Sequence, residues 1–216
     1  MTLIHIATFT ADNRSATLAE LIKAQDLENY EPQKAESGKP FLQDIDGRQV
    51  GLAISHVRRA TPPFSIMAIC EMAALGIDAE AWPNGGIDET FLTSIAAPED
   101  VNIIAKALAA GRDPATLIWV LKEAALKASG DVMTDPRHLT VGPSINGHIQ
   151  ASASSSASAP LLRCMLRAFE MRTNATEQCI IVGVAIAGFE GIKNGPNLDV
   201  VCDNPHVKFT ACDWLY

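Results

Sequence analysis

A chain of 216 residues, 48% hydrophobic and 19% charged, holds one large domain or two small halves with a real core. Its net charge of −8 argues against nonspecific nucleic-acid binding, and its most apolar run, CIIVGVAIAGF at 179–189, is about half the roughly 20 residues a membrane span needs. Five scattered cysteines without a C-x-x-C, behind an N-terminus with no basic region ahead of an apolar run, read as a cytoplasmic protein with reduced thiols.

In chain order, LIHIATF (3–9) reads as an opening strand and RSATLAELIKAQ (14–25) as a short helix. Residues 26–51 read as loop, with SGKP and DIDG as turn signals. QVGLAISH (49–56) alternates as a strand, and the long apolar stretch 64–82 reads as two strands joined near residues 73–75. PEDVNIIAKALAAG (98–111) is helical, closed by Gly111. DPATLIWVLKEAALKASG (113–130) is the clearest helix, with Asp113 as N-cap, Pro114 in the first turn and Gly130 past the end. HLTVGP and HIQASAS read as strands around the turn SINGH, and ASASSSASA (151–159) as an exposed loop or edge. Strand-like segments follow at 163–172 and 179–189. Residues 190–216 form a tail with no legible role.

The stretch LGIDAEAW (75–82) poses a physical question. In an extended chain Ile77, Ala79 and Ala81 point one way, and Asp78, Glu80 and Trp82 the other. Two carboxylates about 4 Å apart repel by roughly 4 kcal/mol at an effective dielectric near 20. Water, a basic residue, a proton or a metal ion must offset that. On a helical wheel of 116–130, Leu117, Leu121, Ala124, Ala125 and Ala128 form the core stripe. Glu123 and Lys127 lie opposite, one turn apart, with Trp119. Alone, that pair reads as a solvated Glu–Lys pair worth a few tenths of a kcal/mol.

Together, a strand carrying D-x-E (GIDAE, 76–80) and a helix carrying W-x-x-K-E-x-x-x-K (WVLKEAALK, 119–127) resemble the 4′-phosphopantetheinyl transferase superfamily. The spacing of Asp78 and Glu123 suits its larger, surfactin-type members. GKP (38–40) and ISH (54–56) match in order upstream. The resemblance implies an α+β fold of two similar halves related by a pseudo-twofold. Its boundaries here are 1–74 for a trimmed N-terminal half, 75–189 for a C-terminal half with the acids, and 190–216 for the tail.

It implies Mg²⁺-dependent transfer of phosphopantetheine from coenzyme A to a serine of an apo acyl or peptidyl carrier protein, by a monomer. Asp78, Glu80 and Glu123 become the metal carboxylates, and Glu123 the base that takes the serine proton. Lys127 matches the lysine on the coenzyme A phosphates. Lys39 and His56 match the groups around the nucleotide's 3′-phosphate, with Ser55 supporting His56. Lys122 is either a substrate contact or a solvated helix residue. Arg58, Arg59, Lys122 and Arg137 are candidates for a basic rim toward an acidic carrier. The alternative is a non-catalytic or weakened relative that binds a carrier or coenzyme A without transfer.

The chain departs from the family pattern in places. Only 37 residues and one short helix precede Gly38, LAISHV (52–57) lacks three residues of the usual histidine motif, and SGDV follows the helix lysine. Cys202, Asp203, His206, Cys212 and Asp213 fit no metal-ligand spacing.

Overall fold

The computed structural model describes residues 2–72, 74–83, 88–130, 135–143, 149–153, 163–173, 176–188, 198–202, 204 and 206–215. The first sheet is built by β1 (Thr2–Phe9), β2 (Glu31–Lys34), β3 (Pro40–Gln43), β4 (Gln49–Val57) and β5 (Phe64–Cys70), with α1 (Arg14–Ala24) inserted after β1. The chain then enters a second sheet at β6 (Leu75–Ala81). Three helices follow: α2 (Glu89–Ile95), α3 (Val101–Ala109) and α4 (Pro114–Ser129). The remaining strands are β7 (Leu139–Pro143), β8 (Ile149–Ala153), β9 (Arg163–Thr173), β10 (Thr176–Ala187), β11 (Leu198–Cys202) and β12 (Val207–Ala211). This is a mixed α+β protein, and no described helix is long and apolar enough to cross a membrane.

The first sheet has the order β11-β1-β5-β4-β3-β2 and the second β6-β10-β9-β8-β7, with β12 on the far half of β9. The described pairings are antiparallel except β1 with β11.

Three cores stack these layers. Phe9, Leu42, Leu52, Met67 and Ile69 cover one face of the first sheet, against Leu21 of α1. The other face meets the second sheet through Ile4, Ile6, Ile66 and Ala68 against Ile77, Ala79, Val182 and Val184. The outer face of the second sheet packs on α4 through Leu121, Ala124, Ala125, Leu166 and Ile181. The period of two in β6 decides this placement: odd residues enter the core between the sheets, even ones face α4.

α4 packs on the outer face of the second sheet. Asp113 accepts from the backbone N–H groups of Ala115 and Thr116, Pro114 occupies the first position, and Gly130 closes the helix with φ +77°. Twelve of its sixteen residues are buried, so only the stripe Trp119–Glu123–Lys127 and Ser129 reach toward solvent. Two glycines allow the close approach. A Cβ on Gly76 would collide with Ala124 O and Ala128 N of α4, and one on Gly183 would lie 2.9 Å from Val120 Cγ1.

Several elements depart from the sequence reading. The stretch 26–51 contains β2 and β3, because its turn signals close hairpins: Gly38 and Gly47 both take positive φ. α2 is seven residues long and gives no readable period. The tail supplies a strand to each sheet, β11 beside β1 and β12 beside β9. The turn 144–148, the serine-rich residues 154–159, residues 84–86 and Asp203 lie outside the described residues.

Candidate active site

β6 sets Asp78 and Glu80 on the face it turns to α4, beside the open stripe of that helix. Asp78 is nearly buried. Its Oδ1 accepts from Lys127 Nζ at 2.5 Å and from Ser55 Oγ at 2.9 Å, and that hydroxyl accepts in turn from Ala79 N–H at 3.1 Å. Ser55 thus ties β4 of the first sheet to β6 of the second. The sequence set it beside His56 as a nucleotide contact; here it orients the aspartate.

Two carboxylate oxygens are left over. Asp78 Oδ2 and Glu80 Oε2 are both buried and without a hydrogen-bond partner among the described residues. Burial first, then the charge of Asp78, raises the Glu80 carboxyl above the ordinary carboxylate range; Arg59, Lys127 and Arg58 pull the other way. Glu123 behaves alike: burial and then Asp78 raise it, and Lys127 opposes. Buried, unpaired oxygens from an oxygen-only donor set fit a hard divalent cation such as magnesium. The described residues hold no closed group of three or more His, Cys, Asp or Glu at ligand spacing, however. The charge of Asp78 nonetheless reaches both Glu80 and Glu123. Lys127 supplies the positive charge paired with Asp78.

Lys127 also lines a pocket of about 210 Å³ with Ser37, Gly38, Lys39, Leu52 and Gly130. Lys39 Nζ donates to Ala128 O at 2.6 Å, capping the end of α4, and burial lowers its pKa from the ordinary lysine value. The GKP loop and the KEAALK helix, 89 positions apart at Lys39 and Ala128, are thus neighbours. A volume of about 210 Å³ is smaller than that of a typical drug-sized ligand site.

His56 is exposed, with Nδ1 2.7 Å from Ser65 Oγ. Its imidazole lies below the usual histidine value, through desolvation of the ring and then the charges of Arg58, Arg14 and Lys127. Arg14 opens α1 and went unnoticed in the sequence, where a single arginine at a helix start carries no motif. Its charge reaches His56 alongside those of Arg58 and Lys127.

Lys122 requires a correction. It was expected at the substrate or in solvent, and it is in neither place. Its side chain has no exposed area and pairs with the equally buried Asp100, Nζ to Oδ2 at 2.7 Å. It also donates to Ile95 O at 2.8 Å and Pro136 O at 2.9 Å. The residue falls on the side of α4 covered by α2 and the 3-10 turn Pro98–Asp100, so the helix turns it away from Lys127. Arg137 is exposed and engaged with Asp135 at 2.6 Å. Of the tail residues weighed as ligands, Cys212 is buried in the core between α4 and the second sheet and Cys202 lies on β11 of the first sheet.

Residues 74–164 match the family model of the 4′-phosphopantetheinyl transferase superfamily. This stretch is a domain of that superfamily. A search among curated proteins finds no match to the chain. The superfamily domain holds β6, α2 to α4, β7 and β8, hence Asp78, Glu80, Glu123 and Lys127. Lys39, Ser55 and His56 lie outside it; Lys39 is joined to it by its bond to Ala128 and the shared pocket, and Ser55 by its bond to Asp78, while His56 bonds to Ser65 of β5.

Proposed function

We propose that the protein transfers 4′-phosphopantetheine from coenzyme A to a serine of an apo acyl or peptidyl carrier protein, with magnesium as cofactor. One observation carries this reading: Lys127 bonds to the acid with a buried, unpaired oxygen and also lines the pocket that Lys39 enters. A site for a cation and a site for phosphates therefore share a wall.

The residues divide the work. Asp78 and Glu80 would hold the magnesium through their unpaired oxygens, with Glu123 completing the set. Magnesium, when bound, would neutralise the diphosphate. Lys127 and Lys39 would hold the phosphates, with His56 and Arg14 at the nucleotide end. The serine oxygen attacks the phosphorus that carries pantetheine. The bond from that phosphorus to the bridging oxygen breaks, and the oxygen leaves with adenosine 3′,5′-bisphosphate. Glu123 takes the serine proton; its raised pKa suits a base, and such catalysis typically contributes about 10²–10⁴-fold. Arg58 and Arg59 form the rim for an acidic carrier.

The test incubates the protein with coenzyme A, Mg²⁺ and a panel of apo carrier proteins, and reads carrier mass. Gain of one phosphopantetheine arm on a carrier serine supports the proposal. Binding of coenzyme A or carrier with no mass gain on any member of the panel overturns it in favour of a binding protein.

A further inference from the structure

We infer that Lys127 is a built-in stand-in for the cation: it neutralises Asp78 in the free protein and moves to the diphosphate when cation and nucleotide arrive, which couples the two binding events. This rests on the proposed function.

The geometry carries it. Asp78 Oδ1 is committed to Lys127 Nζ and Ser55 Oγ, while Oδ2 on the same carboxylate has no partner among the described residues. Glu80 Oε2, two residues along the same face, has none either. The ammonium therefore pairs with one oxygen of Asp78 and leaves a buried oxygen on each acid without a partner among the described residues. The Lys127 side chain keeps about a third of its surface exposed, and the residue lines the neighbouring pocket, so it has somewhere to go. A divalent cation entering alone faces that positive charge within a few ångströms of its ligands. A diphosphate in the pocket offers the ammonium an alternative partner and removes the repulsion. By linkage, each ligand then strengthens the other by the same factor.

A single substitution should move the two affinities in opposite directions. Mn²⁺ serves as the metal probe, its binding read by water-proton relaxation with no carrier present; coenzyme A binding is read by calorimetry. Lys127→Met is expected to bind Mn²⁺ alone more tightly, by about five-fold or more, and coenzyme A more weakly by a similar factor. The strengthening of Mn²⁺ by coenzyme A should shrink in the variant. Arg58→Met is the control: its charge reaches Glu80 from the exposed rim, with no ion pair to Asp78. It should change Mn²⁺ affinity by less than about two-fold, the size expected of a screened exposed charge. Equal effects of both substitutions, or an unchanged Mn²⁺ affinity in Lys127→Met, would overturn the inference. If the wild type still modifies a carrier in that event, the proposed function survives and only the role of Lys127 falls.

Discussion

Lys122 and Asp100 form an ion pair with no exposed side-chain area on either partner. The pair is fully hydrogen-bonded: Lys122 reaches Ile95 O and Pro136 O, and Asp100 accepts from Ala97 N–H at 2.8 Å and Val141 N–H at 2.7 Å. Five elements meet at these two side chains: α2, the turn 98–100, α4, the turn 136–138 and β7. Removing one partner strands a buried charge. Lys122→Met is expected to lower stability by about 3–5 kcal/mol in denaturant unfolding. The double variant Lys122→Met with Asp100→Asn should recover part of that loss, because it leaves no uncompensated charge. Additive losses would mean that the two groups do not act as a pair.

Gly76 sets how closely β6 lies on α4. Gly76→Ala must push the helix away from its backbone clash with Ala124 and Ala128, at a cost of about 1–3 kcal/mol. Gly142 on β7 has nothing within 4 Å of an added Cβ, so Gly142→Ala should be close to neutral. A thermal unfolding comparison of the two variants checks this. Gly76→Ala should also reduce transfer, since the same contact sets Asp78 against Lys127.

Asp78→Ala should abolish carrier modification and leave the far-ultraviolet circular dichroism unchanged. The carboxylate is bonded to Ser55 and Lys127, and one of its oxygens is unpaired already. Ser55→Ala removes the hydroxyl that orients Asp78 and satisfies Ala79 N–H. Its expected cost is about 1 kcal/mol in stability, with a larger proportional fall in transfer. Normal transfer by either variant would remove Asp78 from the site.

Thiol chemistry gives a pH-dependent check. Burial pushes the Cys70 thiol up to about 11 and Cys164 up to about 12, and Cys212 is raised further. The reactive form is the thiolate. A raised pKa means less thiolate in the folded protein at every pH below that value. At pH 8 all three should resist iodoacetamide in the native state and react once unfolded, where an ordinary thiol pKa near 8.5 returns. Raising the pH to 9 should leave the native rates of Cys70 and Cys164 low. Peptide mass mapping reads the order; native labelling of Cys164 at pH 8 as fast as the half-buried Cys179 would contradict the packing around it.

How far the sequence spoke depended on the range of each interaction. The alternation in β6 told Ile77 from Asp78 because a period of two is local. The caps Asp113 and Gly130 fixed α4 because capping is a matter of three or four residues. Lys122 was illegible for the opposite reason. Its partner Asp100 sits 22 positions away in a single 3-10 turn, and helical periodicity cannot distinguish a lysine in solvent from one buried against an acid. β2, with every residue exposed, has no apolar alternation to read. Arg14 announced nothing, since its meaning comes only from His56 across the fold.

The register that places Thr2 opposite Leu198 has a consequence for assembly. β1 cannot gain its parallel neighbour on the ribosome until nearly two hundred further residues have been made. Until then its outer edge presents unpaired amides and carbonyls to any extended chain nearby. Nascent protein should thus lean on chaperones or rapid completion of synthesis, and the strand formed first is among the last to be finished.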